Sequence, residues 1–442
     1  MDWAKIDWTR IPDILAITAL ASAFFSILRR NRTAEHRLWL TGWIMIALHF
    51  FGFLIIGLPG VYGVIGSIVG LTSLVAAGIF FMWATVPAQV GISSRRMATV
   101  ALFSLSLYAA LLSLPSAPGW AFDLAATLIA VGPLSVAIYY RSYSQHPLRW
   151  ITVSMMLVLG AFLLVLQNLP SHDTDTALNA ILFTVYFGCC VHFWNTYKRG
   201  TTGSIITISG FFAWALVFLI SPLQAHYFPN LQIESEVWNL PKYVVAVGMM
   251  LLLLEKQIER TQYLALHDDL TKLANRRLFK DRLSGAMERA KRAESTIALL
   301  QIDLDGFKYV NDSFGHHVGD LLLQHVARLL EGRVRRSDTV ARTGGDEFSL
   351  ILEEPAGRED AILVAESLSQ KLAEPFELAG TSIRIGASIG FAIYPEDASE
   401  VESLCIEADL RMYNAKQTHR EIAAEFRHNS LGIPEPHTLS QA

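Results

Sequence analysis

The first 254 residues form a succession of apolar runs, and no other feature of the chain limits its fold so strongly. Runs at approximately 11–28, 38–57, 61–86, 97–114, 120–140, 150–167, 176–197, 204–221 and 240–254 approach or reach the roughly 20 residues with which a helix crosses a bilayer. Backbone N–H and C=O groups find no water in hydrocarbon, so such runs fold as helices. After Glu255 the composition becomes that of a soluble domain. The average of 52% apolar and 17% charged residues blends the two populations. The expected architecture is an N-terminal all-α polytopic membrane domain of about nine helices over 1–254, followed by a linking helix over 255–266. An α/β domain over 267–428 and a flexible tail over 429–442 complete it.

The connections alternate in charge. "RRNRTAEHR", Arg95 with Arg96, Arg141 with Arg149, and Lys198 with Arg199 are basic, while "LPG", "LPSAPG", "PSHDTDT" and "SPLQAHYFPNLQIESE" contain no Lys or Arg. This alternation predicts a multi-pass protein of a bacterial-type inner membrane, with its N-terminus outside and everything after Glu255 in the cytoplasm. Trp39, Trp120 and Trp150 fall at the expected interfaces, so the lipid bilayer is the first partner. The start "MDWAKIDWTRIPD" lacks a basic n-region and a cleavage site and is expected to be retained.

A net charge of −4 gives no case for nucleic acid, whose phosphates call for clustered Lys and Arg. Cys189, Cys190 and Cys405 have neither disulfide nor metal-ligand spacing.

Polar residues inside spans are where a sensed ligand would bind. Asp13, Asp123 and Lys242 fall near the outer ends of their runs. Each is expected to snorkel to the interface, the alternative being a shared outward-facing pocket. His49 and His192 sit at depths roughly 10 Å apart and are expected to be satisfied separately rather than to share one ion. "MMLLLLEKQIERTQYLALHDDLT" leaves the last span without a Gly or Pro break. Leu251, Leu254, Ile258, Thr261 and Ala265 repeat at 3-4 spacing, as on a pairing helix or a simple continuous one.

In the soluble half, "IALLQIDLDGFKYVND" opens with a strand-like run and ends with Asp303 and Asp305, and "GHHVGDLLLQHVARLLEGRV" has helical spacing. "TVARTGGDEFSLILEE" reads as two strands joined at Gly344 to Asp346, a hairpin turn in which glycine accommodates positive φ. If the second strand returns beside the first, Asp303 faces Asp346. Carboxylates so placed repel unless a cation lies between them, and magnesium takes one or two carboxylates plus phosphate oxygens. The glycines Gly344 and Gly345 leave room for a phosphate to approach. The turn therefore suits a metal-bound triphosphate, although an exposed hairpin often has the same composition.

The stretch from about His267 to Arg420 resembles the GGDEF family of diguanylate cyclases. The likeness is carried by the ordered blocks "HDDLTKLANRRLF", "DLDGFKYVNDSFGHHVGD", "RRSDTVARTGGDEF", "ASIGFAIYP" and "ADLRMYNAK". The resemblance implies an antiparallel-centred α/β domain similar to the palm of nucleotide cyclases, joining two GTP into cyclic di-GMP with release of pyrophosphate. It implies Asp303 and Asp346 as magnesium ligands, manganese being the alternative ion, with the Leu304 carbonyl as a third oxygen and Glu347 as the remaining acid near metal and attacking hydroxyl. Asn311 and Asp320 match the pair that reads the guanine edge, and Lys308, Lys416 and Arg420 match residues around the phosphates. Arg335 and Asp338 match the R-x-x-D position at which product inhibits. Lys272 and Ala274 stand where the family often has Gly and Pro, and His419 where it has Gly, which puts local turn shape in question. No segment after Arg420 is long enough for a phosphodiesterase domain.

The reading that follows is a homodimeric, membrane-anchored diguanylate cyclase, with GTP as substrate and cyclic di-GMP as product and inhibitor. Two other classes stay open: a catalytically silent cyclic di-GMP receptor acting through the membrane domain, and a transporter regulated by its soluble half.

Overall fold

The computed structural model describes residues 6–29, 34–86, 91–140, 147–169, 174–198, 200–231, 233–355, 357–378 and 381–430. Arg30, Arg32, Arg141 and Arg199, used above for orientation, and the tail from 431 onward lie outside the described residues. The chain divides into two compact units, Met1–Gln257 and Ile258–Ala442.

Among the described residues of the first unit are nine helices long and apolar enough to cross a membrane, as the apolar runs predict. They are α1 (Ile11–Leu28), α2 (Ala34–Ile55), α3 (Val61–Ala84), α4 (Gly91–Leu112), α5 (Gly119–Tyr139), α6 (Pro147–Gln167), α7 (Thr174–Thr196), α8 (Thr202–Tyr227) and α9 (Ser235–Leu266). Of the best apolar window, 61% is buried in α3 but 17% at α1, so α3 runs through the interior and α1 along the outside. Trp39, Trp43, Phe81, Phe193, Phe211 and Trp214 are fully buried and contribute large rings to the centre, beside branched aliphatics such as Ile46, Val75 and Val185. Helix α9 continues without a break past Gln257, and Leu254 and Ile258 on its expected seam are exposed.

The histidines are satisfied separately. His49 Nδ1 lies 2.9 Å from the Gly70 carbonyl, which can only accept, so this nitrogen carries the proton. His192 contacts the hydroxyls of Thr85 and Thr152 at 3.2 and 2.8 Å. Asp13 and Lys242 depart from the snorkelling expected of them. They are buried and joined through Asn239, whose amide donates to Asp13 Oδ2 at 2.9 Å and whose oxygen accepts from Lys242 Nζ at 2.6 Å. An amide that both donates and accepts lets a bundle hold two opposite charges without direct contact. Asp123, on α5, takes no part in this network.

The second unit is α/β. Its strands are β1 (Ala274–Asn275), β2 (Ile297–Asp305), β3 (Thr339–Arg342), β4 (Glu347–Glu353), β5 (Phe376–Leu378), β6 (Thr381–Ile383) and β7 (Gly386–Tyr394). Its helices are α10 (Arg276–Ala293), α11 (Phe307–Phe314), α12 (His316–Glu331), α13 (Arg358–Leu372) and α14 (Val401–Ser430). Five strands make one sheet in the order β1-β3-β4-β2-β7, with β2 antiparallel to both neighbours and β1 parallel to β3, while β5 and β6 form a separate pair.

Strand β2 is buried on both faces, which is why its sequence is apolar almost throughout. Ala298, Leu300, Ile302 and Leu304 pack with Leu322, Val326 and Leu330 of α12. Ile297 and Leu299 pack on the other face with Leu283 of α10 and Leu404 and Ala408 of α14. Strand alternation then puts Gln301, Asp303 and Asp305 on the α10–α14 face, so the acids at the end of β2 meet α14.

Candidate active site

The site forms where β2 ends beside the turn between β3 and β4. Asp303 is the register partner of Glu347, and the Leu304 N–H donates to the Asp346 carbonyl at 3.2 Å. Antiparallel pairing thus brings acids more than 40 residues apart in sequence together at one end of two central strands. The turn itself closes through the Thr343 and Gly344 N–H groups, both donating to the Glu347 carbonyl.

The glycines act differently from the expectation. Neither Gly344 nor Gly345 is among the glycines with positive φ. Gly344 is instead small because Glu347 folds over it: a Cβ there would stand 2.9 Å from Glu347 Cδ and closer still to its carboxylate oxygen. A Cβ built on Gly345 would meet nothing within 4 Å, so the side-chain direction of this residue is open space.

Arg342 holds the turn in place. Its guanidinium donates to the Gly345 carbonyl at 2.7 and 3.1 Å and to the Asp268 carboxylate at 3.0 Å. Asp268 also accepts from the Thr271 N–H and hydroxyl, so the "DDLT" block is tied to the acidic turn by one side chain. Lys272, where the family often has Gly, keeps this block's turn by adopting φ 63°.

Helix α14 supplies the basic partner. The Lys416 ammonium donates to Asp303 Oδ1 at 2.5 Å. Burial pushes the Asp303 carboxyl above the usual range, Lys416 pulls it back, and Asp346 and Asp305 repel it upward. Burial likewise raises Glu347, aided by Asp303, Asp346 and Asp409. These are acids short of positive charge. Among the described residues no group of three His, Cys, Asp or Glu is arranged to hold a metal by itself. The mutual repulsion of the Asp303, Asp346 and Glu347 carboxylates is of the kind a magnesium ion would relieve, since that ion takes one or two carboxylates together with phosphate oxygens.

Two residues reach this site that the motifs alone did not bring out. Asp305 accepts from the Ser388 hydroxyl at 2.8 Å, and His419 Nδ1 lies 3.1 Å from its other oxygen. Alternation along β2 was the available signal for Asp305, whereas His419 stood out only as a departure from the family. A cavity of about 550 Å³ opens between α10 and α14 beside Glu347, lined also by Arg276, Lys280, Gln301, Thr343 and Asp409.

Asn311 lies on α11 and Asp320 in the first turns of α12. Asn311 Oδ1 sits where a side chain on Gly319 would be, so only glycine lets α12 approach so closely. Lys308, in the first turn of α11, and Arg420, one turn beyond Lys416, are exposed, and no hydrogen bond or ion pair among the described residues ties either to the acids. Arg335 and Asp338 lie elsewhere. Asp338 accepts the backbone N–H groups of Arg335 and Glu353, and Glu353 is at the far end of β4 from Glu347, about 20 Å away at ~3.4 Å per residue. Among the described residues no side-chain ion pair joins Arg335 to Asp338, and the Arg335 side chain is exposed.

The family described as diguanylate cyclase, GGDEF domain, matches residues 265–422. These residues are a GGDEF domain, and nine long apolar helices precede it among the described residues. The chain is 44% identical over 194 residues to the bifunctional diguanylate cyclase/cyclic di-GMP phosphodiesterase MucR of Pseudomonas aeruginosa, a match covering 40% of this chain and 28% of MucR. It is 41% identical over 155 residues to the diguanylate cyclase TpbB of Pseudomonas aeruginosa, covering 35% of this chain and 36% of TpbB. The chain thus spans well under half the length of these relatives. A solved structure of an N-terminally truncated TpbB of Pseudomonas aeruginosa comprising only the GGDEF domain is 40% identical and aligns over 34% of this chain and 89% of its own, with a TM-score of 0.34.

Proposed function

We propose that the protein is a membrane-anchored diguanylate cyclase that converts two GTP into cyclic di-GMP and two pyrophosphates. The observation that carries this reading is the register of β2 against β4, which sets Asp303 beside Glu347 and the Asp346 backbone at a turn with an open glycine. Asn311 and Asp320 hold the guanine edge, their amide and carboxylate matching its acceptor and donor groups. Lys308, Lys416 and Arg420 receive the phosphates, with Lys416 leaving Asp303 as it does so.

Two such domains meet in a homodimer, each presenting one GTP. The 3′-oxygen of one nucleotide attacks the α-phosphorus of the other, the α–β anhydride bond breaks, and pyrophosphate leaves. Glu347, whose carboxyl is raised by burial, is positioned to take the hydroxyl proton. Asp303, Asp346 and the Leu304 carbonyl would hold a magnesium or manganese ion, which when bound would neutralise charge on the phosphates and lower the hydroxyl pKa. Positioning accounts for much of such catalysis, so the continuous helix α9 gives the membrane region a means of control. Arg335 and Asp338, distant from the acids, bind product and inhibit, with the domain on the cytoplasmic side of the membrane.

The test is product formation from GTP and magnesium by the purified full chain, beside Asp346→Ala and Glu347→Ala. Cyclic di-GMP from the parent and at least about 100-fold less from both variants supports the reading. A parent that binds cyclic di-GMP tightly but makes none from GTP is a receptor instead.

A further inference from the structure

We propose that the first unit contains a binding site for a small carboxylate with an apolar body, anchored on Lys242. The site is a cavity of about 310 Å³ lined by Arg10, His49, Phe50, Trp214, Trp238 and Lys242 among others, a volume at the small end of the range for organic ligands. It lies at the end of the bundle formed by the first turns of α1 and α9. That is the opposite end of α9 from the one leading into the second unit.

The charge arrangement selects the ligand. Lys242 is buried, and its ammonium has three N–H groups, of which one, among the described residues, reaches a protein oxygen, Asn239 Oδ1. Its ammonium also lies over two ring faces, Phe50 at 4.6 Å and Trp214 at 5.8 Å from the ring centres. Asp13 does not neutralise it directly. Both Asp13 oxygens are engaged, one by Asn239 Nδ2 and the other by the Tyr243 hydroxyl at 2.6 Å. The lysine is thereby held in place by a neutral amide and keeps donors for an acceptor in the cavity. Arg10 adds a second cation, itself tethered by Asp7 at 3.0 Å. A carboxylate offers two oxygens to the ammonium, and the aromatic walls take an apolar body while excluding a second charge. A cationic ligand meets like charge, and a neutral one leaves the ammonium without its partner.

The site is separate from the catalytic reading, and its test reads binding alone. Isothermal titration of the full chain in nanodiscs would use phenylacetate, supplied from water, and decanoate, supplied through the bilayer, each against its own amide. Saturable binding of either acid at one per chain, at least about tenfold tighter than its amide, is expected, and the better of the two identifies the source. Lys242→Met should lose about tenfold or more, and Lys242→Arg should stay within about threefold of the parent. Because Lys242→Met leaves Asp13 less well compensated, the double variant Asp13→Asn/Lys242→Met, free of buried charge at this pair, serves as the folded control and should also fail to bind. Equal affinity for acid and amide, undiminished binding by the folded double variant, or no saturable binding of either acid up to about 10 mM overturns the proposal.

Discussion

Lys416 Nζ lies 2.5 Å from Asp303 Oδ1, so a residue matched to phosphate binding sits on a carboxylate matched to metal binding. On the proposed function the two roles are compatible only in sequence: the ammonium would hold Asp303 until a metal-bound nucleotide displaced it. This competition has a measurable sign. In Lys416→Gln, Mn²⁺ measured without nucleotide should bind several-fold tighter, because its competitor is gone, while KM for GTP rises about tenfold. Weaker Mn²⁺ binding in the variant would mean that Lys416 organises the acid rather than competing for it.

Gly344 and Gly345 should separate by substitution. A methyl at Gly344 runs into the Glu347 side chain, so Gly344→Ala is expected to displace that carboxylate and lower kcat by about 100-fold. At Gly345 the space is open, and Gly345→Ala should leave stability unchanged within about 0.5 kcal/mol. Any loss it causes should appear in KM for GTP, since only an approaching ligand would meet the methyl. Thermal unfolding and steady-state kinetics on both variants decide the matter.

Lys272 adopts φ 63° in the turn that Asp268 caps. A left-handed conformation costs a residue with a Cβ about 1–2 kcal/mol, and glycine's extra unfolded-state freedom offsets about 0.5–1 of that. Lys272→Gly should therefore stabilise the second unit by about 0.5–1 kcal/mol, visible as slower native-state hydrogen exchange around residues 268–275. No change would show that the turn relaxes freely with lysine.

Asp397 gives the second unit an acid-sensitive anchor. Its carboxylate accepts from Arg358 at 2.7 Å, from Arg411 at 2.9 and 3.1 Å, and from the Ile393 N–H at 2.7 Å. Burial alone would raise this carboxyl, but the Arg411, Arg358 and Ile393 hydrogen bonds outweigh it and hold it well below the usual range. A depressed carboxyl stabilises the fold above its unfolded pKa of about 3.9, and that contribution fades as pH falls further toward the folded value. Asp397→Asn should cost about 2 kcal/mol at pH 7. The gap between parent and variant should narrow below about pH 4, followed by hydrogen exchange in β7 and α14. A gap independent of pH would assign the cost to packing.

Much of this molecule can be read from neighbouring residues. The nine apolar runs, the helical spacing in α12, the apolar run of β2 and the β3–β4 hairpin are local properties, set by whether each stretch must hide its own backbone and which face it buries. The acidic turn was legible for the same reason, since it interrupts an apolar pattern. Its glycines were legible as glycines but not in their purpose, because the crowding at Gly344 comes from how Glu347 folds back.

The pairings that give the two units their chemistry were of another kind. Asp303 and Lys416 are 113 residues apart, and Asp13 and Asn239 are 226 apart. A lone Asp, Asn or Lys in an apolar run has the same local appearance whether it snorkels or is bonded within the bundle. Composition and periodicity were enough for a helical membrane region followed by an α/β domain with an acidic turn. Packing alone chose which charges share a low-dielectric interior, because the cost of burying a charge is relieved only by the partner that the folded chain brings to it.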